Sequence, residues 1–466
     1  MQAATPAPGL TTGEAASADV AAPPAMRAAG GERQARAARA LGGSSMLVLL
    51  ASCFLLAACA AGAPSQYVPA RSGGWPSWLA GPLHGLGLSL GRGGFEALTL
   101  LLCTSYALVL ASARALRLRT LVAVVVAAQL LIVLGPPLIS QDVFGYLGYA
   151  RMGALHGLDP YTHVAAEAPA DAVFPFVGWP FKHSPYGPEF TLASYAAAPL
   201  GVAGGLWALK ALALLASLGA VALVARAAEA LGQSRRFAVA FMGLNPVLLE
   251  LALGGAHNDT LIVLAFAAAL ALSASASRGF RGAAAAVVAG VGIKFSAALM
   301  LPFLVLAPAR ARERLATALS AAGSLAVLAL VGVLGFGAHA FGFLGAIGEQ
   351  QQLVAVHSIP AETARLVGLS GTPTWWRQLF AAAFLCLLAL ALWRSARGGD
   401  WRVAAGWSLL ALLACTAWLL PWYAIWPLPL AAVCGDRRLR AATLLLCAYA
   451  ILIHLPLAEP LLSPKG

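Results

Sequence analysis

Leu, Ala and Val fill long stretches of this chain with hardly a charge among them, and short polar connections separate the stretches. A bilayer core about 30 Å thick needs roughly 20 apolar residues per helix. Runs at 46–62, 95–113, 119–138, 206–226, 237–253, 260–276, 316–337, 377–393, 403–420 and 441–458 each approach that length. Residues 282–308 exceed one ordinary span and are interrupted by Gly292 and Lys294, which predicts a pair of short helices. Residues 422–434, held between Pro421 and Gly435, predict one more short helix. The pattern is that of an all-α polytopic membrane protein, a bundle of about 12 or 13 transmembrane helices.

The stretch from Ser140 to Tyr161 departs from this pattern, placing Asp142, several tyrosines, Arg151 and a Gly-Leu-Asp-Pro-Tyr turn between apolar runs. Ser140 as N-cap, Asp142 in the first turn and Gly157 as the stop predict a helix over about 141–156. On it Asp142, Tyr146 and Tyr149 share one face. An acid at a helix start is favoured by the dipole alone, which would also keep Asp142 ionised. Its place directly after a membrane helix, on a surface poor in carboxylates, makes it a candidate proton acceptor.

Composition confirms the class: 60% hydrophobic, 10% charged and a mean hydropathy of +0.81 exclude a soluble domain. The net charge of +12 does not point to nucleic acid, because the basic residues come in small clusters between apolar runs. With residues 1–45, rich in Ala, Pro, Gly and Ser, read as a disordered cytoplasmic tail, the clusters from Arg114 to Arg440 fall on the same side. Together with Arg27, Arg33, Arg36 and Arg39 of the tail they outnumber the outer Arg71, Arg92, Arg151, Lys182, Arg365, Arg377 and Lys465 by about three to one, as the positive-inside rule requires. This orientation needs residues 189–204 to lie on the outer surface.

The expected organisation is then a tail (1–45), three spans (46–138), an outer loop with amphipathic helices (139–205), further spans with polar breaks (206–338), a second outer loop (339–376) and C-terminal spans (377–466). Leu56-Ala57-Ala58-Cys59 resembles a lipoprotein cleavage box but reads as the small-residue end of a helix, since a long tail precedes it. The seven cysteines lie inside apolar runs without C-x-x-C or His/Cys ligand spacing, which indicates neither a disulfide framework nor a metal site; a divalent metal is left open, and no cofactor is expected.

The predicted orientation brings distant polar groups to one face. His257-Asn258-Asp259 reads as a polar turn that caps a helix or as part of a site. Glu250 lies about two turns below the same face, and an intramembrane acid usually pairs or lines a cavity. Lys294 reads as a snorkelling cation or a phosphate ligand. Lys182 and His183 add phosphate-capable donors, while the pairs Trp375-Trp376 and Trp422/Trp426 read as interfacial belts or sugar platforms.

Ser-x-Asp-Val-x-x-Tyr at 140–146 and Gly-Leu-Asp-Pro-Tyr-Thr-His at 157–163 closely resemble the first outer loop of bacterial polyprenol-phosphomannose-dependent α-1,6-mannosyltransferases of the GT-C superfamily. The resemblance continues through Pro185-Tyr186-Gly187-Pro188, Asn245-Pro246, Gly-Gly-Ala-His-Asn-Asp at 254–259, Ile293-Lys294 and Pro421-Trp422-Tyr423. It covers roughly residues 119 to 435 in collinear order. It implies a GT-C-type bundle with Asp142 as catalytic base at the start of the first outer loop. Gln141 stands where that family usually has Arg; if that Arg helps hold the donor phosphate, another cation must do so here or the donor preference differs. Lys294, His257, Lys182 and His183 are the candidates, with Tyr146, Tyr161, Tyr186, Asn258, Asp259, Glu250, Trp422 and Tyr423 expected to contact sugar or acceptor.

The implied partners are a polyprenyl-phosphate sugar donor, a glycan or glycolipid acceptor and membrane lipids. The implied place is the cytoplasmic membrane, with the site on its outer face. A polyprenyl phosphate leaves as a stabilised anion, so one base suffices where a glycosidase needs two facing carboxylates. A transporter or flippase of polyprenyl-linked sugars would show inverted repeats, which the hydropathy does not show; a scaffold would not need Asp142, His257 and Lys294 on one side. Glucose and arabinose remain alternative donor sugars.

Overall fold

A computed structural model describes residues 24–62, 76–275 and 279–455. The side chains of Arg27, Arg71, Arg278 and Lys465 lie outside the described residues, as does the tail before Pro24. The described residues form 18 α-helices and no strand. First come α1 (Pro24–Gly62), α2 (Ser77–Ala80), α3 (Arg92–Ser112) and α4 (Leu118–Leu134). The first long polar segment carries α5 (Asp142–His156) and α6 (Pro188–Ser194). The centre holds α7 (Gly201–Ala230), α8 (Arg235–Gly243), α9 (Asp259–Ser273), α10 (Gly279–Val291), α11 (Leu301–Leu306) and α12 (Ala311–Phe336). The second polar segment contains α13 (Gly342–Gln351) and α14 (Ile359–Leu366). The chain finishes with α15 (Thr374–Ala396), α16 (Trp401–Cys415), α17 (Leu428–Val433) and α18 (Arg437–Leu452).

The protein is an all-α polytopic membrane protein, but its spans are less uniform than hydropathy suggests. Five stretches are long and apolar enough to cross: Glu32–Gly62, Arg92–Ala115, Pro188–Ala230, Ala311–His339 and Thr374–Ala396. A sixth is the pair of α8 and the π-helical turn Val247–Leu253, bent by 41°. The sequence leads to 12 or 13 spans, short ones included; among the described residues five or six qualify by length and composition alone. Several apolar runs fold as shorter helices instead, such as α4, α9, α10 and α16. Prolines explain some of the breaks: Pro246, Pro302, Pro421 and Pro427 sit at the starts of short or irregular turns, where the missing N–H does no harm. The tail expected to be unstructured is helical from Pro24 onward, as its Ala and Arg content favours. Residues 188–200 form α6 and a 3₁₀ segment that breaks at Gly201, with φ +72; the 30-residue α7 is long enough to cross without them.

One large apolar core joins α1, α3, α4, α7, α8, α9, α10, α16 and α18. A second, smaller core seats α5: Val143, Phe144, Leu147 and Met152 pack with Leu79, Val173, Phe176, Phe190 and Leu206. Asp171 locks this loop core by accepting from Arg151 at 2.8 Å and contacting His156 at 2.6 Å.

The basic clusters gather at one end of the bundle. Arg236 donates to the Arg114 carbonyl, and Arg440 to Gln233 Oε1. Inside the bundle Lys210 is fully buried; it donates to the Gly135 carbonyl and stands 4.1 Å over the Trp207 ring.

Three irregular segments meet at the other end. Ile139, with φ +66, centres a tight turn closed by Ser140 N–H donating to the Leu138 carbonyl at 2.7 Å. A β-branched residue in that region is strained by about 1–3 kcal/mol. Ala256, with φ +53, is the matching irregularity before His257. Leu138 N–H donates to the Gly254 carbonyl at 2.9 Å, so the two strained turns are tied together. The third segment is the break at 292–294, where the Gly292 and Ile293 carbonyls accept from Phe190 and Gly187 N–H at 3.1 and 3.0 Å. Non-helical backbone at this depth survives because protein satisfies it.

Gly187 makes the third junction possible. A Cβ there would lie 2.4 Å from the Gly292 carbonyl oxygen. Gly187→Ala should therefore destabilise the protein by about 1–3 kcal/mol through overpacking against backbone, read as a lower unfolding temperature in detergent. Gly145→Ala, where a Cβ meets nothing within 4 Å, should be neutral or stabilising. Equal behaviour of the two variants would contradict the close approach.

Candidate active site

The first turn of α5 is capped one residue off the expected register. Gln141 is the N-cap residue without a side-chain bond, while Ser140 Oγ accepts from Asp142 N–H at 3.1 Å. Gly157 ends the helix in the left-handed region, as expected. Asp142 thus sits at the start of a helix outside the membrane-spanning segments, its side chain 13% exposed.

His257 faces it. Its Nδ1 lies 3.6 Å from Asp142 Oδ2 and 3.4 Å from the Tyr146 hydroxyl. Tyr146 donates to Asn258 Oδ1 at 3.3 Å. Trp422 stacks on the His257 ring with centroids 3.7 Å apart and planes at 17°. The neighbouring cation is Lys294, whose Nζ donates to Asp259 at 3.0 and 3.2 Å. Trp426 Nε1 donates to the same carboxylate at 2.8 Å, and Tyr423 lies 4.2 Å beneath the ammonium and stacks on Trp426 at 4.6 Å. Asp259 is fully buried and Lys294 15% exposed. Of the two carboxylates, only Asp142 reaches open space.

Burial raises the Asp142 carboxyl from its ordinary range to about 6. Lys294 opposes the rise by attraction, Asp259 adds to it by repulsion, and the polar groups of Ser140 and Trp179 hold it down. The sequence suggested a carboxylate kept ionised by the helix dipole. It is ionised at neutral pH, but burial outweighs the dipole and leaves a stronger base than a surface Asp, closer to the pH at which it would work.

Of the expected site residues, Asp142, Tyr146, His257, Asn258, Asp259, Lys294, Trp422 and Tyr423 converge here. Asp259, expected to touch sugar or acceptor, is instead closed off by Lys294 and Trp426. Trp422 and Tyr423 are buried, so neither is an exposed belt or open platform. Tyr186 packs edge-on against Tyr146 at 4.9 Å. Tyr161 is displaced from the cluster: its hydroxyl donates to the Tyr186 carbonyl at 2.9 Å and its ring packs with Phe336 and Phe343. His183 is paired with Glu349 at 2.9 Å, tying the first polar segment to α13. Lys182 accepts from Tyr149 through its carbonyl. Glu250 is not in the cluster; in its π-helical turn it accepts from Thr99 at 2.8 Å.

Trp179 and Glu349 were not singled out by the sequence. Trp179 lies in an aperiodic Val-Gly-Trp-Pro loop, and Glu349 pairs across 166 residues, so neither leaves a local signal. Trp426, read only as part of a belt, is the second donor to Asp259. His257 Nε2, Asn258 Nδ2 and Trp422 Nε1 are buried and lack hydrogen-bond partners among the described residues. Among those residues no group of three or more His, Cys, Asp or Glu side chains is placed to hold a metal ion.

Two family models match the chain. "Alpha-(1->6)-mannopyranosyltransferase, N-terminal domain" covers residues 42–310, and "MptB C-terminal domain" covers 363–464. The chain belongs to the alpha-(1->6)-mannopyranosyltransferase family. It is 29% identical over 359 residues to "Alpha-(1->6)-mannopyranosyltransferase A" of Mycobacterium tuberculosis, covering 70% of this chain and 67% of the relative. It is 30% identical over 149 residues to the protein of the same name in Corynebacterium glutamicum, covering 31% of this chain and 29% of that one. No solved structure matches the chain. In this mannosyltransferase the cluster spans both matched regions, since Lys294 and Asp259 belong to the first and Tyr423 and Trp426 to the second.

An activity that requires ionised Asp142 falls as pH drops through about 6 and is level above it. Trp179 favours the ionised form of that carboxyl, so Trp179→Phe should move the acid limb of mannosyl transfer to higher pH. A pH–rate profile measures this; an unmoved limb in an active variant would separate Trp179 from Asp142.

Proposed function

We propose that this mannosyltransferase moves mannose from a polyprenyl-phosphate donor to a hydroxyl of a glycan or lipid-linked acceptor, on the outer face of the cytoplasmic membrane. The observation that carries the reading is the pairing of one accessible carboxylate, Asp142, with a nearby ammonium, Lys294, at the end of the bundle opposite the basic clusters. The acceptor oxygen attacks the anomeric carbon while the bond from that carbon to phosphate oxygen breaks. Asp142 takes the acceptor proton, and the polyprenyl phosphate leaves as an anion. A single displacement inverts the anomeric configuration. It needs one base and a cation for the departing phosphate, the role assigned to Lys294. The partnerless atoms of His257, Asn258 and Trp422 are available to ligand hydroxyls or water. The relatives' names support mannose and a 1,6 linkage. The basic clusters at the opposite end support the outer face, since cytoplasmic connections are Arg-rich.

Purified protein in lipid nanodiscs, supplied with polyprenyl-phosphate mannose, glucose and arabinose in parallel, should transfer mannose best. Asp142→Asn should lose about 10²–10⁴-fold in turnover with a donor KM near that of wild type, and Asp142→Glu should recover part of it. A folded Asp142→Asn protein with normal turnover would remove Asp142 from the chemistry. Lys294→Ala would strand Asp259 as a buried unpaired charge, so the pair is tested as Lys294→Gln with Asp259→Asn. That double variant should raise the donor KM, and an unchanged KM would remove Lys294 from phosphate binding.

A further inference from the structure

A cavity of about 920 Å³ opens between α15, α16 and α18, far from Asp142. α16 forms its floor, and Leu387, Leu390, Trp407 and Leu445 line its walls. Its length follows the helices: Asp400 and Ala414 both border it, a rise of about 21 Å at 1.5 Å per residue. That exceeds the half-thickness of a bilayer core, about 15 Å. The volume lies near the top of the range for small-molecule pockets.

The charged residues of the groove lie at one end, where Arg394, Ser395 and Asp400 border it, while at the other the Tyr449 hydroxyl already donates to the His357 carbonyl at 2.7 Å. Asp400 is already neutralised, by a bidentate contact from Arg402 at 2.9 and 2.8 Å. Arg394 makes no hydrogen bond or ion pair among the described residues. Ser395 Oγ is buried, with the residue only 3% exposed, and has no hydrogen-bond partner. Next to them the chain turns tightly through Gly398, with φ +90, and Gly399 N–H donates to the Arg394 carbonyl at 3.0 Å. The end therefore carries one uncompensated guanidinium and one buried hydroxyl above an apolar trough.

This end faces away from the mannosyl-transfer site. α15 starts beside the second polar segment, where Arg377 donates to the Gln351 carbonyl at 3.1 Å and Trp376 to the Pro360 carbonyl at 2.9 Å. Arg394 lies about 25 Å further along the helix. A donor lipid with its phosphate here would hold its sugar most of a membrane thickness from Asp142.

We propose that this groove binds an anionic glycerophospholipid from the leaflet that meets the Arg-rich ends of the helices. Its phosphate contacts Arg394 and Ser395, and its acyl chains lie along Leu387, Leu390 and Leu445. The lipid fills the space between α15 and α18, beside the links already made through α16 and α14, and so braces α15 further against the bundle.

Native mass spectrometry of the full-length protein in mild detergent tests this, with phosphatidylglycerol and phosphatidylcholine of identical chains as probes. Wild type should retain one phosphatidylglycerol about five-fold more strongly than phosphatidylcholine, as expected for one arginine contact. Arg394→Glu should lose the preference, Arg394→Lys should keep most of it, and Leu390→Trp should weaken both lipids by filling the trough. Asp142→Asn should bind as wild type does, which separates this site from the transfer site. Unfolding temperatures measured alongside identify any variant that has not folded; if Arg394→Glu is lost in this way, Leu390→Trp and Arg394→Lys decide. An unchanged preference in Arg394→Glu would overturn the proposal, as would a preference abolished only by the Lys294→Gln, Asp259→Asn variant. Retention of polyprenyl phosphate in place of phospholipid at this groove would overturn it too.

Discussion

The Lys294–Asp259 ion pair is the constraint on which the rest of the site depends. Asp259 is fully buried, and removing one partner of such a pair costs about 3–5 kcal/mol by leaving a charge unmet. A cation–π contact, at up to about 2 kcal/mol when desolvated, is the smaller effect. Tyr423 and Trp426 therefore position the ammonium, while Asp259 is what makes its presence tolerable. The pair draws three chain segments together: the end of the turn at 254–258, the break at 292–294 and the turn that opens at Pro421. Asp142 comes to it on a fourth.

That arrangement explains why the helices are irregular at this end. Straight spans would put only side chains of regular helices at the membrane surface. Breaking them at 254–258, 292–294 and 421–426 brings His257, Lys294 and Trp422 inward, while neighbouring segments satisfy the released carbonyls. The strain at Ile139 and Ala256 belongs to the same design, since the two turns lead into Asp142 and His257, which face each other. Residues in sparsely populated backbone regions persist where the surroundings over-determine them, and the hydrogen bond from Leu138 to Gly254 does so here.

Much of this was legible in the sequence because charges are rare in an apolar chain. Asp142, His257 and Lys294 stood out for that reason, and the break at Gly292–Lys294 was visible as polarity inside an overlong run. The placing of the basic clusters is enough to bring them to one face. What escaped were effects without a local signature. Hydropathy counts apolar length but does not see the 41° bend at the π-helical turn or the shortness of α4, α9, α10 and α16. Glu250 was visible as an intramembrane acid, but its partner Thr99 lies on another helix and keeps it out of the site. Spacing along the chain does not reveal the bond from Trp426 to Asp259 either.

The account's central claim is that one end of the bundle holds a donor phosphate at Lys294 with the reacting carbon facing Asp142. A structure of the protein in nanodiscs with a non-transferable phosphonate analogue of polyprenyl-phosphate mannose tests it most directly. The account predicts a phosphonate oxygen within hydrogen-bond distance of Lys294 Nζ, about 2.7–3.2 Å, and the open face of the anomeric carbon towards Asp142. A phosphonate bound elsewhere, with Lys294 still closed on Asp259 and Asp142 remote from the sugar, would contradict it.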